Sequence, residues 1–132
     1  MVYLNIIYYD KKVMSITCYI VDDERHNVVL LSEEIDRSAD LTLIGASVDS
    51  ETALLEIREK RPDVVFSDIN MPQMSGIKLA SLIDSFTKVV FVSGELQSKF
   101  SGEINQNLYL KKPLSSRRFS EVVNYLKTVL NK

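Results

Sequence analysis

The sequence has one cysteine, a formal charge of only −2, and no long hydrophobic run. Each scarcity excludes something. Cys18 has no partner for an intrachain disulfide, so a reducing cytoplasm is the expected setting. It lies inside the apolar run "ITCYIV" and reads as a small core hydrophobe rather than a reactive thiol. The 16 basic and 18 acidic residues leave no basic excess for nucleic acid and no like-charged block of the kind seen in disordered tails. No apolar stretch reaches the ~20 residues that span a membrane. The opening "MVYLNIIYYDKKVMS" is apolar but lacks a basic region ahead of it, and does not read as a signal peptide. No repeat, low-complexity tract or linker interrupts the chain. What remains is 132 residues, 45% apolar and 26% charged, which suits one ordinary globular domain with a real core.

Within that domain, apolar and amphipathic segments alternate. "SITCYIV" is a continuous apolar strand of the doubly buried kind. "ERHNVVLLSEEIDRS" follows with Val28, Leu31 and Ile35 at helical spacing. "LTLIGASV" is a second strand. "DSETALLEIREKR" is a helix with Asp49 or Ser50 as N-cap, closed by Pro62. "DVVFS" is the third strand. "GIKLASLIDSF" is a short helix with Ile77, Ala80 and Ile83 on one face. "KVVFVS" is the fourth strand. "GELQSKFSGEINQ" is polar, interrupted by Gly102, and a weak helix at best. "NLYLK" is a short fifth strand. The final segment carries an apolar stripe of Phe119, Val122, Val123, Leu126, Val129 and Leu130. Five strand–helix repeats imply parallel strands with crossover helices on both faces of the sheet. Chemistry in such folds gathers at the C-terminal strand ends.

Those ends carry a recognisable set. The first strand ends in Asp22 and Asp23, the third in Asp68, the fourth in Ser93, and the fifth in Lys111 and Lys112. Three converging carboxylates repel, which a divalent cation relieves. Carboxylate and carbonyl oxygens suit Mg²⁺. A carboxylate beside a metal, with an amine and a hydroxyl facing it, is suited to hold a phosphoryl group, with Asp68 as nucleophile.

The same residues carry a family resemblance. "IVDDE", "VVFSDINMPQMSG", "VFVSGE" and "YLKKP" resemble, in order, the acidic pair, acceptor loop, switch hydroxyl and lysine–proline motif of response regulator receiver domains. The steps are 46, 25 and 19 residues between Asp22, Asp68, Ser93 and Lys112. The match runs from about Ser15 to the end, leaving residues 1–14 as an N-terminal extension and 15–132 as the receiver. The resemblance implies an α/β, flavodoxin-like (βα)5 three-layer sandwich on a five-stranded parallel sheet. It implies that Asp68 accepts phosphate from a sensor histidine kinase. It implies Mg²⁺ held by Asp23, Asp68 and the Asn70 carbonyl, with Asp22 helping through water. Lys112 becomes the phosphate-contacting lysine across a cis Lys112–Pro113 bond, and Lys111 a solvated neighbour. Ser93 and Tyr109 become the switch pair. Asn70 and Glu95 resemble the polar pair of fast-cycling receivers, implying loss of the phosphoryl group within minutes. "DDERHN" and "YLKKPLSSRRFSEVV" look most like receivers that precede a LytTR-type DNA-binding domain. DNA contact is therefore expected only through such an attached domain.

Plainer readings stand beside these. Asp22 and Asp23 alone would serve as a helix N-cap pair. His26 sits one turn into a surface helix and reads as solvated. Tyr109 alone is a half-buried strand tyrosine. Arg117 and Arg118 read as a solvated face, which in the family is also a common homodimer surface. Met71 and Met74 read as loop packing. A phosphatase or dehalogenase with an aspartate nucleophile would carry a second carboxylate where Asn70 stands. A flavodoxin-like cofactor module would want a Ser-, Thr- or Gly-rich loop where "DDERHN" stands. A degenerate receiver would lack some of the key positions, and here all are filled. The apolar "VYLNIIYY" is expected to lie outside the receiver and to support self-association.

Overall fold

The structure, a computed structural model, describes residues 15–94 and 105–132. Five strands form one parallel sheet: β1 (Ile16–Val21), β2 (Leu41–Ser47), β3 (Val64–Ser67), β4 (Lys88–Ser93) and β5 (Tyr109–Lys111), in the order β2-β1-β3-β4-β5. Four helices join them among the described residues: α1 (Arg25–Asp36), α2 (Ser50–Lys60), α3 (Gly76–Ser81) and α4 (Ser116–Leu130). This is the flavodoxin-like doubly wound architecture. The polar segment read as a weak helix lies largely outside the described residues, as do the N-terminal extension and Glu95.

Strand alternation divides the core. On β1, Ile16, Cys18 and Ile20 face one side with Val64, Phe66, Val90, Val92 and Leu110, under α1 and α4. Leu31 and Ile35 come from α1, and Phe119, Val122, Val123 and Leu126 from α4. Phe66 stacks on Phe119 with centroids 5.7 Å apart. Truncating a fully buried aromatic such as Phe66 to alanine costs about 3–5 kcal/mol. Tyr19, Val21 and Val65 face the other side, against Ala53, Leu54 and Ile57 of α2 and Leu79 of α3. Buried on both faces, β1 and β3 read as unbroken apolar runs, as the sequence predicts for β1; the edge strand β2 is only partly covered.

Helix ends follow local chemistry. Asp49 is the N-cap of α2: its carboxylate accepts from the Thr52 N–H at 3.0 Å and the Thr52 hydroxyl at 2.6 Å. Arg61 ends that helix in the left-handed region, at φ 48°, and Pro62 follows.

Three local expectations are corrected. The short α3 buries Leu79 completely, while Ile77 and Ala80 pack only partly, against Ile69, Phe91 and Tyr109. Ile83 falls beyond the helix and joins the cluster on the α2 side. Six residues make fewer than two turns, so no sustained stripe forms. On α4, Val129 is 40% exposed, because it lies at the margin of the stripe, while Leu130 one residue on still packs against the core. The fifth strand is only Tyr109–Lys111; Gln106–Leu108 before it form a 3₁₀ turn, capped where Asn105 Oδ1 accepts the Asn107 N–H.

Candidate functional site

The strand order reverses at β1, so the crevice of a doubly wound sheet opens beyond the C-terminal ends of β1 and β3. Asp22 follows β1 directly and is buried. One carboxylate oxygen accepts the Glu24 N–H at 2.9 Å, which turns the chain into α1 in place of a side-chain cap. Asp23 beside it is exposed. Asp68 follows β3 and is still in the ladder, its N–H donating to the Val21 carbonyl at 2.9 Å. Its Oδ1 accepts the Ile69 N–H at 2.7 Å.

The loop after Asp68 returns closely over it. The Gly76 N–H donates to the Ile69 carbonyl at 2.7 Å. A Cβ on Gly76 would lie 1.9 Å from the Asp68 carbonyl oxygen, so only glycine fits. Ser75 then caps α3 by accepting the Lys78 N–H at 3.1 Å.

Lys112 closes the group from β5. Its Nζ donates to Asp22 Oδ2 at 2.8 Å and to Asp68 Oδ2 at 3.3 Å. The Lys112 N–H donates to the Ser93 carbonyl at 2.8 Å, and the Lys112–Pro113 bond is cis. Lys111 points to solvent instead. Oxygens of Asp22, Asp23 and Asp68 lie within 4.8 Å of one another.

The electrostatics follow from burial. Removal from water raises the Asp68 pKa; the Asp22 charge adds to this, and Lys112 opposes it without cancelling it. Burial alone would lower the Lys112 pKa, but the Asp22 hydrogen bond and the two carboxylate charges outweigh it and raise it. Burial likewise pushes the Cys18 thiol up to about 12, in keeping with a core residue.

Ser93 is buried beneath this rim, and Tyr109 packs with Ile69 and Phe91 at 4% exposure. Tyr109 is thus more than half-buried, and its carbonyl accepts from Arg118 Nη2 at 2.8 Å. Asn70 is exposed on the loop after Asp68. His26 is exposed and lines a cavity of about 390 Å³ that also reaches Asp22 and Lys112. Met71 and Met74 pack partly against the α2-side core. Arg117 lies on the surface of α4, its Nε 3.7 Å from Glu121. Sequence reasoning passed over Gln73, which stands in the loop after β3 at φ 70°; nothing in its local pattern marks it.

A doubly wound sheet with an acid cluster and a lysine at this crevice defines a signalling receiver. The chain belongs to the response regulator receiver domain family, which matches residues 18–124. It is 37% identical over 114 residues to a response regulatory protein of Vibrio cholerae, covering 84% of this chain and 48% of that one. Among solved structures it resembles the response regulator domain of Thermotoga maritima CheB, with TM-score 0.74 and 27% identity over 89% of this chain and 98% of that chain. It resembles equally the CheX–CheY–BeF3–Mg+2 complex of Borrelia burgdorferi, with TM-score 0.74 and 25% identity over 89% of this chain and 90% of that chain. The chain spans about half the length of the curated relatives it matches. It is the receiver of a response regulator in two-component signalling. Among the described residues no helix is long and apolar enough to cross a membrane.

Proposed function

We propose that Asp68 is the phosphoacceptor and that the domain switches the surface governing an output when Asp68 is phosphorylated. The observation that carries this reading is Lys112 Nζ set between Asp22 and Asp68, with Asp23 completing the acid cluster. In the reaction a sensor kinase's phosphohistidine donates. An Asp68 carboxylate oxygen attacks phosphorus, the P–N bond breaks, and an acyl phosphate forms as the imidazole leaves. Lys112 then faces a phosphoryl oxygen, and Ser93 takes another. The domain assists this transfer and the later hydrolysis of the acyl phosphate, in which water takes the phosphoryl group as inorganic phosphate and the Asp68 carboxylate is restored; it is not a classical enzyme.

Three carboxylate oxygens this close, from residues of differing burial, fit a hard divalent cation bound through oxygen. Asp23, Asp68 and the Asn70 carbonyl would hold Mg²⁺, with Asp22 acting through water, and the ion would supply positive charge against the phosphoryl oxygens. The Borrelia CheX–CheY–BeF3–Mg+2 complex supports this choice.

Ser93 and Tyr109 carry the change outward by a population shift between two packings. Asn70 and Glu95 admit the attacking water and shorten the phosphoryl lifetime to minutes. The output is transcriptional, through a LytTR-type DNA-binding domain attached beyond the receiver, with the α4 face carrying Arg117 and Arg118 as a homodimer surface. The domain works in the cytoplasm, with residues 1–14 outside the receiver proper. The support for an attached domain is the motif resemblance and the doubled length of the relatives. Incubation with Mg²⁺ and acetyl phosphate is expected to add one phosphoryl group to the intact mass and none to Asp68→Asn. Unchanged mass, or equal uptake by the variant, overturns the assignment.

A further inference from the structure

A chain of hydrogen bonds runs around the acidic rim and closes through Gln73. From the end of β1, the Asp22 N–H donates to the Ser47 carbonyl at 3.2 Å. Ser47 Oγ accepts the Asp49 N–H and donates to the Asp49 carbonyl, both at 3.0 Å. Asp49 then caps α2. From α2 the chain crosses to the acceptor loop. Ser50 Oγ donates to the Pro72 carbonyl at 3.4 Å. With its nitrogen turned toward the carboxylates, the Gln73 amide donates to Asp49 Oδ1 at 2.7 Å and to Glu51 Oε1 at 2.9 Å. Beyond Gln73, the Gly76 N–H returns to the Ile69 carbonyl beside Asp68.

Gln73 holds a backbone conformation, φ 70°, that glutamine rarely adopts. Such a conformation persists only where its surroundings enforce it. The enforcement is twofold: the Met74 N–H closes a tight turn on the Pro72 carbonyl at 2.7 Å, and the two charge-assisted side-chain bonds tie that turn to Asp49 and Glu51. Met71 and Met74 pack against the α2-side core, and the Gly76 N–H closes the base of the loop on the Ile69 carbonyl, so the Gln73 bonds are what fix the loop's outer end to α2. Asn70 lies three residues before Gln73, and Pro72 between them fixes one of the few soft dihedrals. The Gln73 bonds therefore bear on a short, bonded turn whose preceding residues include Asn70.

We propose that Gln73 is a positioning residue for the metal-binding loop: by tying that loop to Asp49 and Glu51 it orients the Asn70 carbonyl and sets the rim's affinity for a divalent cation. This rests on the reading of the rim as a Mg²⁺ site. Three variants separate positioning from mere structural support. Gln73→Gly loses both bonds but suits the positive φ, so the fold is kept. Gln73→Glu sets a third carboxylate against Asp49 and Glu51. Gln73→Lys restores a donor to both.

The experiment titrates each folded protein with MgCl2 by isothermal calorimetry, alongside thermal melting. Gln73→Glu is expected to weaken Mg²⁺ binding about 10-fold, at the low end of what outer-shell partners contribute. Gln73→Gly is expected to weaken it less, with its melting temperature unchanged or higher. Gln73→Lys is expected to bind as the unaltered protein does. Equal affinity across all four proteins overturns the inference, even if melting temperatures differ. Unaltered protein that takes up no Mg²⁺ overturns the rim reading itself, and this inference with it.

Discussion

Lys112 lies closer to Asp22 than to Asp68: its ammonium is 2.8 Å from the first carboxylate and 3.3 Å from the second. The residue that holds the lysine is therefore not the one proposed to be phosphorylated. Asp22 is anchored in turn by the Glu24 N–H. Lys112 thus leans over Asp68 from a fixed support, and a small pivot would bring it to a phosphoryl oxygen without releasing Asp22.

Removing that cation is expected to slow phosphoryl uptake. Lys112→Ala should lower the initial rate of mass gain from acetyl phosphate by ~10²-fold, the low end for loss of one preorganised donor. Lys112→Arg should not restore it, because a planar fork cannot occupy the place of a compact ammonium. A folded Lys112→Ala protein phosphorylated at the unaltered rate would contradict the role.

Asp68 is expected to cost stability in its resting, metal-free form. Burial, then repulsion from Asp22, raise its pKa despite Lys112. The folded state therefore holds the Asp68 proton more tightly than the unfolded state. Stability falls as pH rises from the unfolded carboxylate pKa of about 3.9 through the folded value, and stays lower above it. Asn mimics the protonated form. In EDTA at pH 7, Asp68→Asn should melt about 2–5 °C higher. The gain should shrink toward zero at pH 3, where both side chains are neutral. A variant that melts lower at pH 7 would show that the ionised carboxylate is instead well supported.

The rim was legible in the sequence because apolar runs mark where buried strands stop, and the residues just past them are fixed in place by the sheet. Asp22, Asp68, Ser93 and Lys112 all follow from that rule. Distinguishing Lys112 from Lys111 needed the adjacent proline; alternation along β5 alone permits either. What escaped depends on contacts between distant segments. The burial of Leu79 over Ile77 reflects where a short helix rests, not its own periodicity. The Gln73 bonds to Asp49 and Glu51 join the loop after β3 to the start of α2, two segments that no local pattern relates.

Tyr19 and Gly45 form another such pair. Tyr19 is fully buried mid-strand, and its hydroxyl donates to Glu56 at 2.6 Å. The β1–β2 register shifts between Cys18 and Tyr19 and sets Gly45 opposite the ring. A Cβ at residue 45 would lie 2.7 Å from that ring. Gly45→Ala should therefore destabilise the domain by about 1–3 kcal/mol in urea unfolding, as overpacking does. In a Tyr19→Val background, which lacks the ring, Gly45→Ala should cost much less than it does in the unaltered protein. Additive losses in the double variant would show that the two positions do not share one space.

At the opposite end of the sheet, Asp63 ties three segments together. Its Oδ2 accepts the Thr17 N–H at 2.9 Å, the Thr17 hydroxyl at 3.1 Å and Lys132 Nζ at 2.9 Å. Burial alone would raise its pKa, but the Thr17 and Lys132 hydrogen bonds and the Lys132 charge outweigh burial and lower it. The sign is therefore opposite to that of Asp68. The unfolded state binds the Asp63 proton more tightly, so its stabilisation is complete above the unfolded pKa of about 3.9 and is lost as pH falls through the depressed folded value. Asp63→Asn keeps an accepting oxygen but not the charge. It should cost about 1.5 kcal/mol at pH 7, the low end for hydrogen bonds to a charged group. The cost should vanish near pH 2. Urea midpoints of the two proteins that stay equally far apart from pH 7 to pH 2 would show that the Asp63 charge contributes nothing and that only the shape of the side chain matters.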